Sequence, residues 1–72
     1  MDTKAAVIEA VGKFVKSAAD GGETVDISKV DYDQLTAAIV EERQSGREGT
    51  TFDLLLEVND SFGLSQFGIF TM

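Results

Sequence analysis

The sequence predicts an α+β fold, two helices packed on a small antiparallel sheet in the order α-(β)-α-β-β, and three observations predict it. Apolar residues recur at helical spacing over residues 3–19, a second helical stretch over 32–45 opens on a capping signature, and residues 52–58 alternate as a strand does. All 72 residues then form a single domain. A chain of this size buries only about 60% of the surface it exposes when unfolded.

In the first helix Val7, Ile8, Val11, Phe14, Val15 and Ala18 trace one stripe, while Lys4, Glu9, Lys13 and Lys16 lie mostly off it. Asp2 or Thr3 supplies the N-cap, and Asp20-Gly21-Gly22 supplies the stop, because glycine takes the left-handed conformation after a helix end. Gly12 costs the helix about 1 kcal/mol relative to alanine, and close approach of another backbone is a reason to keep it.

Thr24-Val25-Asp26-Ile27 alternates over four residues, which fits a short edge strand, and Ser28-Lys29-Val30 bends into the next helix. Asp31 and Gln34 there have capping-box spacing, with Val30 and Leu35 placed as a hydrophobic staple. Leu35, Ala38, Ile39 and Glu42 follow one face of that helix. Gly46 ends it, with Arg43 and Arg47 near the negative end of its dipole.

After a polar loop at 46–50, Phe52, Leu54, Leu56 and Val58 alternate with Asp53, Leu55 and Glu57, the pattern of a half-buried strand. Asn59-Asp60-Ser61 has turn chemistry, and Leu64 to Thr71 supplies the partner strand of a C-terminal hairpin. Phe67 and Ile69 point to one side of that strand, Leu64, Phe70 and Met72 to the other. Gly63 and Gly68 fit bulges or close backbone contacts.

Composition excludes much chemistry. With no histidine and no cysteine there is no Ser-His-Asp triad, no thiolate nucleophile, no disulfide and none of the usual zinc, haem or iron–sulfur ligands. The five acids between Asp20 and Asp33 do not match a calcium loop: counting from Asp20, the positions that need oxygen ligands or glycine hold Gly22, Thr24 and Val25. Gly21-Gly22 and Gly46-x-x-Gly49 lack the lysine and hydroxyl of a phosphate loop. No cofactor and no metal is expected, and the chain reads as a non-enzyme. Its N-terminal segment, interrupted by Glu9, Lys13 and Lys16, reads as neither signal peptide nor membrane span, so a cytoplasmic location is the expectation.

Charge is unevenly spread. The net charge is -7, and residues 20–42 carry seven acids against Lys29 alone, while 48–72 carry four acids and no base. Six scattered basic residues against 13 acids argue against direct nucleic-acid binding, which needs a basic face. The acidic surplus points instead to a basic protein partner.

Two functional readings lead. In the first, the chain is a non-catalytic acidic protein-binding module, a small inhibitor or accessory protein, and Asp20, Glu23, Asp26, Asp33, Glu41 and Glu42 engage a basic protein surface. In the second it is an assembly subunit. Four of its five phenylalanines lie in the last 21 residues, and Leu55, Phe62, Phe67, Ile69, Phe70 and Met72 self-associate as a homodimer through the hairpin. A small carboxylate-based enzyme is a third reading, which two acids converging in a pocket would support.

Overall fold

The computed structural model describes residues 2–72. It comprises α1 (Lys4–Asp20), β1 (Val25–Asp26), α2 (Tyr32–Gln44), α3 (Thr51–Phe62), a 3₁₀ turn at Leu64–Phe67, and β2 (Phe70–Thr71). The three helices pack against one another, and the sheet is a two-stranded clasp beside them. The α+β class therefore holds in its coarse form, with helix dominating.

Helix α1 begins and ends on the residues its sequence marks. The Thr3 hydroxyl accepts the Ala6 amide at 3.2 Å. At the other end Gly22 takes a positive φ of 83°, and the amides of Gly22 and Glu23 donate to the carbonyls of Ala19 and Ala18 at 3.0 and 2.8 Å. This pair of bonds is a Schellman closure, which satisfies carbonyls left without partners in the last turn. Helix α2 starts where Asp31 accepts the Gln34 amide at 3.0 Å, and Val30 packs against the core to which fully buried Leu35 belongs.

The expected strand at 52–58 is instead helix α3. Thr50 and Asp53 form a reciprocal capping box, with the Asp53 amide 3.1 Å from the Thr50 hydroxyl and the Thr50 amide 2.8 Å from the Asp53 carboxylate. The helical period places Leu54, Leu55 and Val58 together inside, all fully buried, and turns Leu56 outward. A strand would have put the adjacent pair Leu54 and Leu55 on opposite faces, and so left one of two large apolar side chains in water.

The C-terminal hairpin is consequently not formed. Gly63 breaks α3, the 3₁₀ turn follows, and Gly68 reverses the chain in the left-handed region at φ 88°, ψ 17°. What is left of the expected strand at 64–71 is β2, and it pairs antiparallel with β1 rather than with residues 52–58, setting Val25 opposite Thr71 and Asp26 opposite Phe70. The strand expected at 24–27 thus exists as Val25–Asp26, and the Met72 amide extends the ladder to the Thr24 carbonyl at 2.8 Å.

Every element supplies the core except β2. Val7, Ala10 and Val11 come from α1, Leu35 and Ile39 from α2, Leu54, Leu55 and Val58 from α3, and Val25, Leu64, Phe67 and Ile69 close it from the side. Among the described residues no polar side chain is buried without a hydrogen-bond partner. Asp2 does not cap α1. Its carboxylate lies against the Arg43 guanidinium, bonded to Nε and, at 2.9 Å, to Nη2, and it accepts the Thr51 hydroxyl at 2.9 Å. Arg43 also donates to the Gly49 carbonyl at 2.9 Å, so one clip joins the N-terminal segment, the last turn of α2 and the start of α3.

Candidate partner-binding surface

The acids of the sequence are dispersed over the fold, and several are already engaged. The Asp26 carboxylate accepts the Ser28 amide and hydroxyl at 2.9 and 2.7 Å, which holds its carboxyl below the usual range and closes the turn after β1. Asp33 lies 3.2 Å from the Lys4 ammonium on an exposed surface. Glu42 is 2.8 Å from Arg47, which also reaches Glu57 at 3.3 Å. Asp20, Glu23 and Glu41 are exposed and make no ion pair among the described residues. No three acidic side chains among those residues come together closely enough to hold a metal ion.

The apolar residues expected at a self-association surface divide in two. Leu55, Phe67 and Ile69 belong to the core, with exposures of 0%, 6% and 2%. Phe62, Phe70 and Met72 remain exposed, at 57%, 42% and 80%.

Two of the expected partner-binding acids meet aromatic side chains in a groove. It has a volume of about 240 Å³ and runs between α2 and the end of α3 with its 3₁₀ turn, lined by Ala38, Glu41, Glu42, Ser45, Phe62, Gln66 and Phe67. Ala38, Phe62 and Phe67 form its apolar walls, and Glu41 stands on its rim. It is smaller than the roughly 300–1,000 Å³ of pockets that enclose small-molecule ligands, and it is large enough for one long side chain. Glu42 is half-buried and its charge is shared with Arg47, so Glu41 is the carboxylate on this rim without a cationic neighbour.

Helical spacing already placed Ala38 and Glu42 on one face of α2. The opposite wall depends on α3 being a helix that Gly63 ends, and the alternation at 52–58 concealed it. Gln66 and Ser45 carry no local signal of a site.

No helix among the described residues is long and apolar enough to cross a membrane. Comparisons with protein-family models, curated proteins and solved structures gave no match.

Proposed function

We propose that the chain is a non-catalytic binding module, an inhibitor or accessory protein acting in the cytoplasm, that engages a basic protein surface. The observation that carries this reading is the groove in which Phe62 and Phe67 lie beside the unpaired Glu41 carboxylate. A lysine or arginine is amphipathic: its aliphatic stem packs on apolar surface while its charged head stays near water. In this groove the stem would lie along Phe62 and the head would reach Glu41, with the aromatic faces adding cation–π attraction. The exposed Asp20 and Glu23 act at longer range by raising the association rate of a cationic partner.

The test is affinity capture from the native host with the wild-type chain and with Glu41→Lys, each at low and high salt. A basic protein held at low salt, released at high salt and not retained by Glu41→Lys supports the reading. Equal capture by Glu41→Lys refutes it. Glu41 is a better probe than Asp26, whose replacement also removes the bonds that close the Ser28 turn.

A second reading, assembly through exposed apolar residues, is favoured by exposed Phe70 in β2 and Met72 just after it, on a strand with one unpaired edge. Phe70→Ser should then lower the sedimenting mass without changing the circular dichroism spectrum. No change in mass would remove this reading.

A further inference from the structure

The groove between α2 and the end of α3 selects its guest by more than the sign of its charge. None of the side chains that line it is basic. The Glu42 carboxylate is already matched, 2.8 Å from Nε of Arg47, whose Nη1 also reaches Glu57 at 3.3 Å. Glu41 is exposed and makes no ion pair among the described residues. One uncompensated carboxylate therefore stands on the rim, and a single positively charged side chain balances it.

The two cationic side chains ask different things of a site. The lysine ammonium is a compact, strongly hydrated charge with three donors on one atom. The arginine guanidinium is planar and more weakly hydrated, stacks on aromatic faces and spreads five donors around its edge.

The groove suits the second kind of head group. Phe62 is exposed and offers an aromatic surface to stack on, while Phe67 closes the wall from the core. The acceptors are distributed rather than gathered at one point. Glu41 and Ser45 stand one helical turn apart along α2 and its cap, and Gln66 faces the groove from the 3₁₀ turn. Ser45 donates its own proton to the Glu42 carbonyl at 2.6 Å, so toward a guest its oxygen is an acceptor.

A guanidinium is already held in this manner next to the groove. Arg47 uses two of its nitrogens to span Glu42 on α2 and Glu57 on α3. We infer that the groove takes an arginine side chain of the basic partner in preference to a lysine, with the guanidinium stacked on Phe62 and its edge turned to Glu41 and Gln66. This rests on the proposed function, which asks only for a cationic side chain at the same place.

The experiment is a nuclear magnetic resonance titration of the isotope-labelled full chain with capped glycine–arginine–glycine and glycine–lysine–glycine tripeptides at matched ionic strength. The arginine peptide should shift the backbone amides of Glu41, Phe62 and Gln66. It should bind about two- to fivefold more tightly than the lysine peptide, the worth of a guanidinium on an exposed aromatic ring. Phe62→Ala should bring the two peptides to equal affinity, and Glu41→Gln should weaken both by a factor of about two to five. Both positions are exposed, so neither change should alter the circular dichroism spectrum. Equal affinities for the two peptides at the groove of the wild-type chain, or an arginine preference that survives Phe62→Ala, would overturn this inference and leave the proposed function standing. Shifts at the groove with neither peptide would overturn both.

Discussion

Replacing Gly68 by alanine tests the packing of the C-terminal segment most directly. Gly68 sits at φ +88°, and a Cβ built there falls 2.1 Å from the Lys29 carbonyl oxygen and 2.8 Å from its carbon. Those are backbone atoms and cannot rotate away, so the 3₁₀ turn and the segment before α2 have to separate by more than about 1 Å to reach ordinary contact. The movement strains the 2.9 Å bond from the Asp31 amide to the Phe67 carbonyl and lifts Phe67 and Ile69 from the core. Left-handed strain costs about 1–3 kcal/mol, overpacking about 1–3 and a weakened hydrogen bond about 1, so the expected loss is roughly 3–7 kcal/mol. A chain of this length has only about 4–11 kcal/mol in total.

The assay is urea denaturation followed by circular dichroism, at a concentration where the chain is monomeric. Gly68→Ala should lower the midpoint by at least about a quarter, and at the upper end of the range leave the protein unfolded in buffer. Gly12→Ala serves as the opposite control: with nothing near its Cβ, it should stabilise the monomer by about 0.5–1 kcal/mol. A Gly68→Ala protein within about 1 kcal/mol of wild type would show that the turn does not pack against Lys29, and the reasoning would fail.

Two further outcomes follow from the core and the clip. Leu55→Ala should cost about 2–5 kcal/mol because the side chain is fully buried, and Leu56→Ala should cost less than about 1 because that side chain faces outward; a larger cost at Leu56 than at Leu55, measured by the same denaturation, would return the segment to a strand. Arg43 beside Asp2 holds its carboxyl below the ordinary 3.8, so below that pH the unfolded chain takes up the proton first. The stability from Asp2 is complete above pH 3.8 and is lost as pH falls from there through the lowered pKa. Asp2→Asn should weaken the fold at neutral pH and flatten this part of the acid limb, and an acid limb unchanged by Asp2→Asn would contradict the role of the clip.

The parts of the fold legible in the sequence are those whose signals are local. Thr3, Gly22 and Asp31 announce the ends of α1 and α2 within a few residues of where they act, and both helices lie within one residue of the expected bounds. Helix α3 was hidden because Leu54-Leu55-Leu56 satisfies the strand period and the helix period alike. The arbiter was available: Thr50-x-x-Asp53 has the spacing of a capping box, and leucine favours helices while β-branched residues are scarce in the segment. The clasp between β1 and β2 joins residues far apart in the chain, and no local period can report such a pairing. The groove depends on the same distant placement, which is why its acids and its phenylalanines were each visible while their meeting was not.

The clasp has a kinetic consequence. Two paired residues on each strand, closed over a loop that includes α2 and α3, cost the entropy of a long loop for very few bonds, so this contact forms late in folding and opens first in the native state. Amide exchange at Asp26 and Met72 should therefore run well ahead of exchange in the helices. The segment released with β2 leads directly into Gly68 and Phe67, one wall of the groove. If opening of the clasp also loosens Phe67, a ligand seated against that side chain should slow exchange at Asp26 and Met72, and exchange unchanged by ligand would show that the clasp and the groove open independently.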